Sequence, residues 1–111
     1  MQVINDEVSM MYCGNDKDIQ QEVIESFCND GSKRTCIMKQ SMEQKDYTTY
    51  ELETHTLKSV AMAVGAVDLA ELAKLHNNAC KKKEYQFVAI HWKELYEKYV
   101  DTIKTLRHLT K

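Results

Sequence analysis

The sequence predicts an all-α fold, an up-and-down four-helix bundle with an additional short N-terminal helix. Three observations carry that reading. The 111-residue chain has no proline and only 3 glycines, at positions 14, 31 and 65, so little in it interrupts a helix. Leu, Lys, Glu, Met and Ala, all strong helix formers, are plentiful. Apolar residues recur at three- and four-residue steps in successive segments instead of alternating. At this length a single domain over residues 1–111 is expected, with the short helix at about 3–12 and the bundle at about 15–109.

The first segment, VINDEVSMMY, places Val3, Ile4, Val8, Met11 and Tyr12 at helical spacing and stops at Cys13-Gly14. Asn15 or Asp16 then caps a second helix with the stripe Ile19, Val23, Ile24, Phe27 and Cys28, which the Asn29-Asp30-Gly31 sequence is expected to break. Ser32 can cap the piece that follows, which is either separate or a kinked continuation. Asp46 caps the next helix, which runs to Val64, where Gly65 tolerates the left-handed conformation that ends helices. Asp68 or a neighbour starts LAELAKLHNNAC, with Leu69, Leu72, Ala73, Leu75, Ala79 and Cys80 apolar. After the run Lys81-Lys82-Lys83, read as a solvated turn, the longest stripe follows: Tyr85, Val88, Trp92, Leu95, Tyr99, Ile103 and Leu106. Short connections between amphipathic helices make sequence neighbours pack antiparallel.

A net charge of −2 gives no electrostatic reason to expect nucleic acid or an anionic membrane as partner. No apolar stretch resembles a signal peptide or a membrane span. The cysteines Cys13, Cys28, Cys36 and Cys80 form no CxxC pair, so a reduced, cytoplasmic setting without disulfides is the expectation. One exposed face is compatible with a monomer.

The stretch Thr54–Ala66, THTLKSVAMAVGA, holds a histidine inside a strong helical pattern. At roughly 100° per residue, Tyr50, Thr54, Ala61 and Val64 fall within about 60° of Leu57 and form the buried stripe. His55 falls at about 160°, nearly opposite, with Glu51, Lys58, Ser59 and Met62 on its half of the helix. Lys58 is one turn further on, where i and i+3 side chains meet. A water-facing imidazole beside an ammonium and a small residue suits phosphoryl chemistry. The neutral ring nitrogen is a nucleophile, and the lysine offsets the negative oxygens it acquires.

The string His55, Leu57, Lys58, Ser59, Ala61, Gly65, Ala66, Leu69 and Leu72 resembles the H-x-L-K-[GS]-x-A-x-x-x-G-A-x-x-L-x-x-L pattern of histidine-containing phosphotransfer (HPt) domains. The resemblance implies a four-helix bundle acting as a phosphorelay intermediate in two-component signal transduction. His55 would take a phosphoryl group on its outer ring nitrogen from a receiver-domain aspartyl phosphate and pass it to another receiver, with Lys58 stabilising the group. The implied partners are response-regulator receivers or a hybrid sensor histidine kinase. Such domains are carriers with no kinase activity of their own, in keeping with the lack of a Gly-rich phosphate loop. The Mg²⁺ of the transfer would belong to the receiver, so no bound cofactor or metal is expected. Ser59, Met62 and Glu51 are expected to contribute to partner docking. Asn77 stands where several members carry a Gln that bonds the histidine or its phosphate, and its shorter amide has less reach.

Other candidates have structural explanations. His76 and Cys80, at i and i+4, have metal-ligand spacing but lie among Leu69, Leu72 and Ala79, which indicates core packing. His91 borders the Trp92 and Leu95 stripe, and His108 suits a helix C-terminus. Tyr85, Tyr96 and Tyr99 complete a core with their hydroxyls at its rim. The alternatives to the relay are a non-catalytic helical adaptor that binds a receiver without phosphotransfer and, further off, a metal or redox bundle using His76 and Cys80.

Overall fold

A computed structural model describes residues 3–109, and every regular element in it is a helix. These are α1 (Asp6–Tyr12), α2 (Lys17–Glu43), α3 (Tyr47–Ala63), α4 (Val67–Lys81) and α5 (Tyr85–Leu109). Each long helix packs on its sequence neighbour, and α5 closes the ring against α2, while α1 lies across α3 and α2. This is the expected bundle with its extra N-terminal helix. At ~1.5 Å per residue the 27 residues of α2 span about 40 Å, which matches the long dimension of the molecule, 40 Å.

The start signals act as anticipated. Asp16 accepts from the amides of Asp18 and Ile19, and Asp46 accepts from the Thr49 amide at 3.1 Å and the Thr49 hydroxyl at 2.6 Å. Those bonds hold the Asp46 carboxyl below its ordinary pKa. The helix ends share one device. Lys45, Gly65 and Lys83 each have positive φ. The next amides, on Asp46, Ala66 and Glu84, donate to the carbonyls of Ser41, Ala61 and Ala79 at 2.7, 2.9 and 2.8 Å. Gly65 is further constrained: a Cβ there would run into the backbone carbonyl of Asn5, whose amide donates to the Gly65 carbonyl at 2.8 Å. The α3–α4 turn is thereby the seat of α1, which is also held by the Ser9 hydroxyl donating to the Ala63 carbonyl at 2.9 Å.

One expectation is corrected. The Asn29-Asp30-Gly31 sequence does not break α2, which continues through it to Glu43. Gly31 is there for packing: a Cβ would come within 2.5 Å of Ile103 Cδ1 and 3.3 Å of Tyr99 Cε1. The missing side chain lets α5 approach α2, and the contact outweighs the ~1 kcal/mol that glycine costs in a helix.

The core runs along the bundle axis and contains Met38, Tyr50, Leu57, Val64, Leu69, Val88, Leu95 and Leu106, all fully buried. Tyr99 is inside this core, whereas Tyr85 stacks on Tyr47 with ring centroids 4.3 Å apart and Tyr96 meets Trp92 edge-on. Cys13, Cys28 and Cys80 are buried free thiols and Cys36 is exposed. Among the described residues, no helix is long and apolar enough to cross a membrane, and no group of three metal-ligating side chains assembles.

Candidate functional site

The stripe read from the sequence is the buried face of α3: Tyr50, Thr54, Leu57, Ala61 and Val64 are all inaccessible to solvent. The phase of that stripe turns His55 outward, and the ring is exposed. It borders a groove of about 420 Å³ between α3 and the last turns of α4, lined by Thr48, Thr49, Glu51, Leu52, His55, Asn77 and Lys81.

Asn77 is nearly fully buried beneath this groove. Its Nδ2 donates to the Glu51 carbonyl at 2.9 Å and to Thr54 Oγ1 at 3.3 Å. Thr54 Oγ1 in turn donates to the same carbonyl at 3.0 Å. In an α-helix the Glu51 carbonyl is also the acceptor for the amide of His55, four residues on. Asn77 therefore pins α4 to the peptide group that holds the turn carrying His55. Its Oδ1 is buried without a hydrogen-bond partner. The short amide thus bonds the backbone and Thr54 rather than the imidazole.

Lys58 is half-buried, one turn beyond His55, and Ser59 is exposed beside it. Met62 is half-buried and packs against the edge of the core, while Glu51 is half-buried and lines the groove. The structure adds two residues. Lys81 reaches the groove from α4, and Leu52 opens onto it with 63% of its surface exposed. Lys81 is one helical turn beyond Asn77, so i, i+4 spacing would have placed both on one face; in the sequence it is hidden in a lysine run that reads as a turn. Leu52 has no such signal, since a leucine in a helical pattern is ordinarily assigned to the core.

The remaining histidines are elsewhere. His76 is fully buried, and its Nδ1 lies 2.9 Å from the Tyr50 hydroxyl. Loss of hydration lowers its pKa to about 4, with a smaller push from the like charge of His91. Cys80 is buried beside this region, and burial, followed by the nearby Glu51 carboxylate, pushes its thiol up to about 11. A protonated thiol and a hydrogen-bonded imidazole are core groups, as the spacing argument indicated. His91 is half-buried against Phe87, with centroids 4.5 Å apart, and His108 is exposed in the last turn of α5.

Two solved structures share this architecture. The HPT domain of a sensor hybrid histidine kinase from Shewanella superposes with a TM-score of 0.88 at 12% identity, covering 96% of this chain and 92% of that one. Histidine-containing phosphotransfer protein B from Pseudomonas aeruginosa PAO1 gives a TM-score of 0.77 at 20% identity, covering 96% and 90%. At these identities the likeness establishes the fold. No curated protein matches the sequence. The family model for the Hpt domain matches residues 22–105, from the second turn of α2 almost to the end of α5 and including the whole α3–α4 groove. By that match, the chain belongs to the Hpt domain family.

Proposed function

We propose that this protein is a phosphorelay intermediate in which His55 accepts a phosphoryl group from the aspartyl phosphate of a receiver domain and passes it to another receiver. Family membership supports a phosphotransfer role in two-component signalling, with receivers and histidine kinases as the class of partner. The observation that carries the specific reading is the placement of His55: exposed on a rigid helix, beside a groove that also presents Lys81, with Lys58 one turn away.

In the transfer, the lone pair of the outer ring nitrogen of neutral His55 attacks phosphorus. The bond from phosphorus to the aspartyl oxygen breaks, the carboxylate leaves on the receiver, and the ring proton on the other nitrogen is lost to solvent. The ammonium of Lys58, with that of Lys81, offsets the charge of the phosphoryl oxygens. Asn77 acts from below, fixing the turn of α3 on which the nucleophile stands. The Mg²⁺ required by the chemistry is assigned to the receiver. Leu52, Ser59 and Met62 form the apolar and small surface on which the receiver rests, with Glu51 at its edge.

The test mixes phosphorylated receiver and Mg²⁺ with this protein and follows intact mass and the site of any acid-labile phosphate. One phosphoryl group on His55, absent from His55→Gln, is expected. Receiver binding that survives His55→Gln, with no transfer to the unmodified protein, would replace the relay with an adaptor.

A further inference from the structure

Away from the His55 groove, a cavity of about 130 Å³ lies where α2, α3 and α5 meet. Its apolar walls are Val23 and Phe27 of α2 and Val60 and Ala63 of α3, and Tyr99 of α5 closes it. The Tyr99 side chain is 1% exposed, yet its hydroxyl has no hydrogen-bond partner. An unsatisfied buried hydroxyl is costly, and native structures give such groups a partner. The charges that act on this hydroxyl include Arg34 and Asp30, which also line the cavity. Tyr99 therefore lines the cavity together with these charged residues.

The dimensions and chemistry define what fits. A dry protein cavity of roughly 150 Å³ takes a single benzene ring, so about 130 Å³ holds one six-membered ring and little more. Burial pushes the pKa of Tyr99 far above its usual value, so the hydroxyl keeps its proton and can donate. Arg34 is already paired with Glu53 at 3.7 Å and the Asp30 carboxylate is exposed to solvent, so no buried, unpaired charge calls for an ionic ligand. Ser26 and Asp30, both exposed and joined at 3.4 Å, mark the open edge.

We propose that this cavity binds a small neutral ring compound carrying one oxygen acceptor, with its ring between Phe27, Val60 and Ala63 and its oxygen on the Tyr99 hydroxyl. Because three helices contribute walls, an occupant bound only by the native bundle stabilises it. The site shares no residue with the phosphoryl-accepting groove.

The experiment titrates phenol, with benzene as the ring lacking an oxygen, into the intact protein, read by amide NMR shifts and thermal melting. Saturable shifts centred on Val23, Phe27, Val60 and Ala63 are expected. The melting temperature should rise by about 5 °C at ten times the phenol Kd. Tyr99→Phe should weaken phenol about tenfold while leaving benzene unaffected. Ala63→Leu, or Val60→Ile as the smaller filling, should weaken both compounds. Amide dispersion and undiminished phosphoryl acceptance establish that each variant is folded. Shifts that rise linearly without saturating, spread over the surface, or persist in the filled variants would overturn the proposal. So would a cavity that neither compound enters because water alone occupies it.

Discussion

His55 and His76 stand on neighbouring helices on opposite sides of one surface. His55 is exposed on α3 at the rim of the α3–α4 groove. His76 faces inward from α4, against the Tyr50 hydroxyl on one side and the ring of Phe87, at 5.6 Å, on the other. The same side chain therefore has two different chemistries. Water reaches one ring and would solvate the phosphoryl group we propose it accepts. Around the other, charge of either sign is expensive, and the Nε2 atom has neither solvent nor a hydrogen-bond partner. The difference originates in helical phase: His55 is nearly opposite Leu57 on its wheel, whereas His76 shares the stripe of Leu69 and Ala73.

The sharpest break of this comparison exchanges each histidine for glutamine. His55→Gln should reduce phosphoryl uptake from a receiver at least a thousandfold, since it removes the proposed nucleophile, while changing stability by less than about 0.5 kcal/mol. His76→Gln should do the reverse. It perturbs the contact with Tyr50 and costs about 1–3 kcal/mol, yet the folded fraction still accepts phosphate. Intact-mass labelling beside urea melts measures both. Labelling lost in His76→Gln protein that remains folded would defeat the assignment.

Acid titration separates the two next. The pKa of His76 is about 4 in the folded protein against about 6.5 when unfolded. Between those values the unfolded chain binds a proton that the native state refuses, so its contribution to stability is complete above pH 6.5 and is lost as pH falls toward 4. The shift corresponds to about 3 kcal/mol. The groups facing the ring are Tyr50 from α3, Cys80 from its own helix, and Phe87 and His91 from α5, and none supplies a negative charge that would favour the imidazolium. Urea melts at pH 7, 5.5 and 4 should show this loss in the unmodified protein and not in His76→Gln. Parallel curves for the two proteins would refute it.

Asn77 links the two environments, since it comes from the buried face of α4 and bonds the peptide beneath His55. Asn77→Ala removes the bonds to the Glu51 carbonyl and to Thr54, and should cost about 1–2 kcal/mol. The loss falls at the lower end of that range because a buried, unpaired Oδ1 disappears with them. Faster amide exchange in the α3 turn containing His55, with slower transfer, is the expected signature. Destabilisation with an unchanged transfer rate would assign Asn77 to packing alone.

Most of the comparison was legible in the sequence because it depends on local rules. Asp16 and Asp46 announce their helices through side-chain caps, and a period of 3.6 assigns Tyr50, Leu57 and Val64 inward and His55 outward without reference to any other helix. What was not legible depends on the partner surface. Gly31 looks like a stop signal until Ile103, distant in sequence, arrives on it. Lys45 and Lys83 take left-handed conformations that their residue type does not advertise. Leu52 and Lys81 join the groove because α3 and α4 meet antiparallel, which no single helical wheel displays.

Lys81 offers the finest test, because it distinguishes what the groove adds to the motif read from α3 alone. Lys58 is fixed to the same helix as His55 at one turn's separation, so its charge acts whenever the helix is formed. Lys81 contributes from α4, which Asn77 ties to α3 beneath the groove. An exposed ammonium is strongly screened, so its share is smaller than that of a half-buried one. Lys81→Ala should therefore slow phosphoryl transfer by about threefold to fivefold at low ionic strength, an effect near 1 kcal/mol, and by less at high salt. Lys58→Ala should slow it by at least tenfold with a weaker dependence on salt. Measuring both rates across an ionic-strength series, with Lys81→Arg as the charge-conserving control, separates field from contact. If Lys81→Arg is as slow as Lys81→Ala, the lysine acts by fitting the groove to its partner; if Arg restores the rate, charge at the mouth of the groove is what the second helix supplies.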